Sequence, residues 1–361
     1  IEAADAGIDA SIETYRDAMV TLLAETALNY VEYRTLQERI DVARENADAQ
    51  EKTMELTKVR FETDLVPKID VTQSTTAFNL TSSVIPLLES QLAFTKNRLA
   101  TLTGGFPASV EKLLARPRKI PVPRSGYSAG LSTDLLRSRP DIRRAERELA
   151  AQTALIGVAA ADLYPRFTLF GAFNLQSVNS SDFFDSASRA YSFGPAMQWQ
   201  IFSAGRIRSN INIEESRTEQ ALLNYENSVL QGVEDVESSM VAVAKERERR
   251  SFLTTAVSNA EETVDLVNVL YTEGLVDFQR VLDANRTKFE SEDQATLSQG
   301  DIAKNYIRLY KALGGGTEVE VIPVAEPRTT AESPFKRKSD RQEGTAQESH
   351  PEDADAVSTP E

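Results

Sequence analysis

The stretch Phe167-Thr-Leu-Phe-Gly-Ala-Phe-Asn-Leu175 decides the fold, because its side chains alternate between two characters. A period of two is typical of a β-strand with two different faces. After a polar loop at 177–190, Tyr191-Ser-Phe-Gly-Pro-Ala-Met-Gln-Trp-Gln-Ile201 repeats the alternation. Each run has about 10–11 residues, the length with which a tilted strand crosses a bilayer. The sequence therefore predicts a β-hairpin of transmembrane length.

One face of this hairpin is aromatic and apolar, and the other is small and polar. That distribution is typical of barrel strands with one face toward lipid and one toward a lumen. A soluble hairpin with one buried face is the alternative, but the flanking helices are too long to form a compact cover for it. We predict that the lipid-facing residues are Phe167, Leu169, Phe173, Leu175, Tyr191, Phe193, Met197, Trp199 and Ile201.

Long helices flank the hairpin on its carboxyl side. No proline occurs between Pro195 and Pro323. A seam of apolar or aromatic residues recurs there with a mean spacing of about 3.5, the coiled-coil period: Leu222, Tyr225, Val229, Val233, Val236, Met240 and Val243. About 65 residues of helix would be about 100 Å long. Residues 1–63 have the same character, and in both segments the helix stops at a turn and a second helix follows. This pattern predicts two antiparallel coiled-coil hairpins, and for the hairpins alone a cytosolic coiled coil is the alternative.

The two helical segments repeat each other at an offset of 210 residues. Leu65-Val66 matches Leu275-Val276, and Gly104-Gly105 matches Gly314-Gly315. Residues 1–105 therefore look like the back part of a unit whose front part, with a further β-hairpin, belongs before Ile1.

The chain also begins without Met or a targeting signal, so we expect it to be numbered from within a longer protein. A cysteine carrying a lipid anchor is compatible with that expectation.

These patterns divide the chain into five predicted regions. The connector is expected to be irregular over 106–134, where four prolines occur, and helical from Pro140 to about Asp162. The tail is too polar to bury a core and is expected to be disordered. The regions are a first helical hairpin at 1–105, an equatorial connector and helix at 106–162, the transmembrane β-hairpin at 163–205, a second helical hairpin at 206–316 and the polar tail at 317–361.

Composition excludes several classes of function. The chain has 361 residues and a formal net charge of −15, which argues against nucleic acid as a partner. It has no cysteine, and its single histidine, His350, lies in the tail, so cysteine or histidine catalysis and zinc ligation are not expected. The chain contains no run of about 18 apolar residues, so no transmembrane helix is predicted. We predict no catalytic residue, no metal and no cofactor, and an enzyme is a weak third hypothesis.

Two strands cannot close a barrel, and an open sheet edge is not tolerated in lipid. The barrel must therefore be shared between chains. The predicted fold is mainly α with a transmembrane β-hairpin: a long antiparallel coiled-coil α-barrel joined to an outer-membrane β-barrel that several copies of the chain complete. Such a shape is a conduit across the outer membrane and the periplasm. The competing hypothesis is a structural coiled-coil envelope protein without channel activity.

Five motifs then carry a resemblance to a known family. They are Arg137-Ser-Arg-Pro-Asp-Ile-Arg-Arg-Ala-Glu146, Ile156-Gly-Val-Ala-Ala-Ala-Asp-Leu-Tyr-Pro-Arg166, Trp199-Gln-Ile-Phe-Ser-Ala-Gly-Arg206, Gly274-Leu-Val-Asp-Phe-Gln-Arg-Val-Leu-Asp-Ala284 and Leu309-Tyr-Lys-Ala-Leu-Gly-Gly315. The chain resembles TolC-like outer-membrane efflux proteins, and more closely their OprM/NodT lipoprotein branch. The resemblance implies a Gram-negative outer-membrane homotrimer with a periplasmic extension. It also implies two partners, a periplasmic adaptor and an inner-membrane pump of the resistance-nodulation-division class. The sequence does not identify the cargo, because the pump selects it.

The resemblance also implies a gate at the two helical turns. A hydrogen bond between Asp70 and Tyr271 would help to hold the tube shut, and Asp283 would contribute to an acidic ring in the pore. Three identical carboxylates around one lumen would favour cations and raise one another's pKa. Arg280 stands where the TolC pattern has a second ring Asp, and Val276 stands where it has a gate Arg. Gly274 is expected to serve the turn backbone alone.

Overall fold

The computed structural model describes residues 1–116, 118–121, 137–178 and 183–315. The helices within these residues are α1 (Glu2–Glu62), α2 (Lys68–Leu102), α3 (Pro107–Leu114), α4 (Pro140–Ala161), α5 (Arg206–Thr272) and α6 (Phe278–Ala312). The strands are β1 (Arg166–Leu175) and β2 (Arg189–Gln198), with a short 3-10 helix at Ser186–Ser188. The prediction of a mainly α fold with a β-hairpin is therefore confirmed.

The chain divides into two units, residues 1–319 and 320–361. The second unit lies outside the described residues. The predicted polar tail, 317–361, falls outside them as well, as does the part of the predicted connector at 122–136. The helices and strands of the described residues all belong to the first unit.

The helices form two long antiparallel hairpins. α1 has 61 residues and packs along α2, which has 35, whereas α5 has 67 and packs along α6, which also has 35. At 1.5 Å per residue α5 is about 100 Å long. No helix in the described ranges offers an apolar stretch of the length needed to span a membrane. Leu36, Ile40 and Leu88 form part of the core of the first hairpin, and Val236 and Leu309 belong to that of the second.

The two hairpins reproduce the offset of 210 residues found in the sequence. α2 begins at Lys68 and α6 at Phe278, and their ends are shifted by the same amount. At the first turn Asp64 has φ +60°, and at the second Gly274 has φ +77°. A glycine adopts this left-handed conformation without steric cost, whereas an aspartate tolerates it only as a single residue. Each turn is closed by the same backbone hydrogen bond, Leu65 N to Arg60 O and Leu275 N to Leu270 O, both at 2.9 Å.

Polar contacts join the first hairpin to the second along α1 and α6. Arg39 forms a bidentate ion pair with Asp293, at 2.7 Å and 3.1 Å, and both side chains are half-buried. Asn46 donates to a carboxylate oxygen of Glu292 at 2.6 Å. Farther along, a Cβ at position 300 would collide with the Thr35 side chain, so glycine permits the close approach. Directional bonds and one tight contact therefore set how these two helices lie side by side.

The connector differs from the prediction, because it contains a helix. α3 begins at Pro107, and proline is well suited to a first helical position because its missing N–H is not needed there. Val110 and Leu114 of α3 are buried against Tyr33 and Leu99. The four prolines made this segment appear irregular, but one of them starts the helix.

Arg139 clamps three elements where α4 begins. Its guanidinium is almost wholly buried and donates to Asp141 at 3.0 Å and 2.7 Å, to Asp235 of α5 at 2.9 Å and to the Ala312 carbonyl at the end of α6 at 2.9 Å. α4 itself packs against both α1 and α5. The following arginines pair with α1, as Arg143 does with Glu13 at 3.1 Å. The arginine-rich motif therefore forms an internal interface.

In the β-hairpin the predicted apolar residues of both strands lie on the same face of the sheet. β1 and β2 pair antiparallel, with Phe167 opposite Met197, Leu169 opposite Pro195 and Phe173 opposite Tyr191. Directly opposed residues project to the same face of a sheet. The predicted second strand was too long, since β2 ends at Gln198 and leaves Trp199 and Ile201 beyond it. The Trp199 indole N–H donates to the Leu163 carbonyl at 3.1 Å, a contact that replaces strand pairing there.

Candidate functional site

The candidate site is the tip, which we define as residues 57–71 and 267–286, where both helical hairpins turn. The ends of α1 and α5 and the starts of α2 and α6 meet in it. Tyr271, Phe278 and Val281 form an apolar cluster, and Tyr271 is only 7% exposed. The rings of Tyr271 and Phe278 lie 5.4 Å apart in a tilted arrangement. The second turn is thus packed rather than open.

Asp70 and Tyr271 lie close together but do not form the implied hydrogen bond. The Tyr271 hydroxyl is buried and has no hydrogen-bond partner among the described residues. Thr57 is its neighbour, but the Thr57 hydroxyl donates to the Thr53 carbonyl at 2.8 Å. The role of the two residues as a gate stays a prediction, and their hydrogen bond is not made in this structure.

The surroundings of Asp70 disfavour the ionised form of its carboxyl group. Burial raises the pKa of Asp70, the carboxylate of Asp277 raises it further, and the guanidinium of Arg60 opposes both. Burial also raises the pKa of Tyr271, Arg60 acts against that shift, and the nearby Asp70 adds to it. Asp70 and Tyr271 are thus both influenced by the positive charge of Arg60.

Sequence reasoning did not single out that cation, Arg60. Its guanidinium carbon lies 4.8 Å from the centre of the Tyr271 ring, so α1 touches the end of α5 here. The position that matches Arg60 in the second copy is Leu270, an apolar residue. The sequence did offer one signal for Arg60: in the last turn of α1 a charged residue stands at the position where the second copy has an apolar one.

Asp283 and Arg280 project from the first turns of α6. Asp283 pairs with Arg286 at 3.6 Å and accepts from Gln279 at 3.4 Å, and both ion-pair partners are exposed. Arg280 is exposed, and its backbone N–H donates to Asp277, which caps the start of α6, at 3.2 Å. Neither side chain joins the cluster around Tyr271 and Asp70, and their place in a pore stays a prediction.

A cavity of about 520 Å³ lies beside the tip, between α2 and α6. Its walls are mostly apolar, with Ile69, Leu80, Leu282 and Phe289 among them, and Asp283 stands at its edge. Across the described ranges no group of three or more His, Asp or Glu side chains is arranged to hold a metal ion. The cavity is therefore an apolar gap between α2 and α6 beside the tip, not a polar binding site.

The β-hairpin is exposed on both faces in the protomer. Leu169 is 83% exposed and Phe193 is 80% exposed, and the other residues on the predicted lipid face are exposed as well, apart from the partly buried Leu175. In a soluble hairpin such a face would be buried against the helices of the same chain. Here its own helices leave it uncovered.

Comparison with known proteins agrees with this geometry. Nodulation protein T of Rhizobium leguminosarum bv. trifolii is 31% identical over 318 residues, which cover 87% of this chain and 68% of that protein. The toluene efflux pump outer membrane protein TtgF of Pseudomonas putida is 30% identical over 313 residues, which cover 85% of this chain and 63% of that protein. A solved structure of the outer-membrane channel OprN superposes with a TM-score of 0.81 at 31% identity, covering 88% of this chain and 71% of that one.

A family model described as "Outer membrane efflux protein" matches residues 1–105 and 131–315. The match takes in both helical hairpins, α4 and the β-hairpin. TtgF is named as an efflux pump outer membrane protein and OprN as an outer-membrane channel. The similarity places the protein in the Gram-negative outer membrane with a periplasmic extension. The chain belongs to the outer membrane efflux protein family.

Proposed function

We propose that this chain is part of the wall of a passive exit duct, completed by two further copies in a homotrimer. The observation that carries the proposal is the uncovered apolar face of β1 and β2 on a chain whose helices are about 100 Å long. A two-stranded sheet leaves both edges unpaired, and lipid does not tolerate such edges. Strands from sister chains satisfy these edges, and the helices continue the tube into the periplasm.

We further propose that the duct works with two partners. A tube of this kind supplies no energy, so transport against a gradient requires a pump in the inner membrane. A periplasmic adaptor would connect that pump, of the resistance-nodulation-division class, to the helical end. The relatives named as outer-membrane components of efflux pumps support this arrangement. The cargo is left open, because selection occurs at the pump and the wall of a passive duct imposes little selection.

We assign the resting gate to the tip. Burial of Tyr271, Phe278 and Val281 holds the second turn together, and Asp70 approaches Tyr271 from the first hairpin. Opening would require the second turn to leave this packing. Asp283 and Arg280 lie exposed on α6 near it, where they would face the narrowed lumen or a sister chain.

The gate assignment is tested by combining Asp70→Ala with Tyr271→Phe in the full-length protein. We expect several-fold more resting current in planar lipid bilayers, because the changes remove the Asp70 carboxylate that lies near Arg60 and the Tyr271 hydroxyl that lies near that carboxylate. Single-channel recording measures it. The matched control combines Asp48→Ala in α1 with Tyr225→Phe in α5, the same chemical changes away from the tip. Equal currents in the wild type and the tip variant would remove the assignment.

A further inference from the structure

Arg60 joins the first hairpin to the second at the tip. It lies in the last turn of α1, and its guanidinium is stacked 4.8 Å from the centre of the Tyr271 ring in the last turn of α5. A guanidinium over an aromatic face is attracted by the electron density of the ring. Because Tyr271 is buried and packs on Phe278, this contact reaches the apolar cluster of the second turn.

The same cation faces acidic groups from two other elements. Asp70 lies in the first turn of α2, and Asp277 caps the start of α6. The charge of Asp277 acts on Asp70, and the charge of Arg60 opposes that effect. Arg60 thus stacks on a ring of α5 and lies within electrostatic reach of a carboxylate of α2.

We propose that Arg60 is a positioning residue of the resting gate, which holds the second turn against the first hairpin through the Tyr271 ring. This inference rests on the proposed function of the tip as a gate. It goes beyond that function because it names the side chain that connects the hairpins, and it explains how Tyr271 is held although its hydroxyl makes no hydrogen bond.

A simpler role for Arg60 is stabilisation of its own helix, since a cation in the last turn interacts favourably with the helix dipole. Lys311 occupies the last turn of α6 at the opposite end of its hairpin and provides a matched control for that effect. Lys52, exposed on α1 and outside the tip, controls for the loss of one positive charge on the same helix. Arg60→Lys keeps the charge but loses the planar group that stacks on the ring.

The experiment measures resting conductance of the full-length protein in planar bilayers. We expect Arg60→Met to raise it several-fold and Arg60→Lys to raise it less, while Lys311→Met and Lys52→Met leave it unchanged. Thermal unfolding of each variant is recorded in parallel, and Arg60→Lys carries the test where Arg60→Met fails to fold. A resting conductance of Arg60→Met and Arg60→Lys equal to that of the wild type would overturn the proposal.

The coupling between Arg60 and Tyr271 is tested by a double-mutant cycle. Tyr271→Leu removes the ring, so Arg60→Met should add little conductance in that background. Independent effects that multiply in the double variant would also overturn the proposal. If neither the wild type nor any tip variant conducts, the proposed channel function itself fails. If the Asp70→Ala/Tyr271→Phe variant conducts and the Arg60 variants match the wild type, only the role of Arg60 fails.

Discussion

Leu169→Arg should prevent stable insertion of the protein into the outer membrane, whereas Thr168→Arg should not. The two residues are neighbours in β1 and lie on opposite faces of the hairpin. An arginine on the lipid face near the middle of the bilayer costs about 2–4 kcal/mol, whereas the lumen face of a barrel accepts polar groups. Leu169 lies near the middle of its strand, so the larger part of that range is expected.

The insertion of both variants is measured by separating the outer membrane from soluble material and by extracting the membranes with urea. We expect Leu169→Arg in the urea-soluble fraction and Thr168→Arg in the membrane with the wild type. Because the substituted residues are adjacent and receive the same side chain, differences in expression or in net charge cancel. Equal insertion of both variants would show that the apolar face does not meet lipid.

Arg139→Ala should cause the largest loss of stability among single substitutions in the helical part. The change removes the guanidinium that binds Asp141, Asp235 and the Ala312 carbonyl, and it leaves Asp141 only with backbone donors such as the Ile142 N–H. Breaking a buried ion pair by removing one partner costs about 3–5 kcal/mol. Asp235 is more than half exposed and can be solvated, so we expect a loss of about 3 kcal/mol, the low end of that range.

Thermal unfolding in detergent measures this loss, with Arg217→Ala as control. Arg217 pairs with Glu214 on the surface of α5, and such pairs contribute about 0.3–0.5 kcal/mol. The midpoint should fall clearly for Arg139→Ala and hardly for Arg217→Ala. Equal midpoints in the two variants would mean that the clamp does not stabilise the junction of α4, α5 and α6.

The Arg139 clamp should also make stability depend on pH. Burial alone would raise the pKa of Asp141, but the hydrogen bonds and the charge of Arg139 outweigh it, and the pKa is lowered. A lowered pKa in the folded state means that the stabilisation is present above the ordinary pKa of aspartate, about 3.9, and is lost as the pH falls through the folded value. The difference in midpoint between the wild type and Arg139→Ala should therefore shrink below about pH 4.

Periodicity and repetition predicted much of the architecture. The proline-free segments, the Gly pairs and the common offset placed both helical hairpins and both turns, because long helices and left-handed turn residues leave local signals. The alternation in 167–175 and 191–201 also gave the correct relation between the strands. In the structure Phe167 is paired with Met197 and Phe173 with Tyr191, as a common apolar face requires.

The sequence could not predict the features that depend on contacts between distant residues. β2 ends at Gln198, opposite the first residue of β1, and beyond it the Trp199 indole bonds to Leu163, 36 residues earlier in the chain. In α5 the predicted seam is only partly buried: Val236 and Val243 are covered, but Leu222 and Met240 are exposed. A straight α-helix drifts by about 20° per heptad relative to a repeat of 3.5, so a strict seam does not stay on one face.

The sequence indicated the turn residues of the candidate site but not its contacts between distant residues. The turn positions of Asp70, Tyr271 and Gly274 could be read locally, and the structure places the first two close together. Arg60 was missed because its partner Tyr271 follows it by more than 200 residues and is reached only when the hairpins pack side by side. The unsatisfied Tyr271 hydroxyl likewise depends on burial, which no local pattern shows.

The most direct test of the account uses the fact that the chain has no cysteine. Single cysteines at positions 167–174 of the full-length protein are spin-labelled in lipid bilayers, and the accessibility of each label to oxygen and to a water-soluble nickel complex is measured. The account predicts a period of two, with labels at 167, 169 and 173 reached by oxygen and labels at 168, 172 and 174 reached by nickel. Labels without this alternation, or shielded from both reagents at 167, 169 and 173, would contradict the claim that this face of the hairpin lies in lipid.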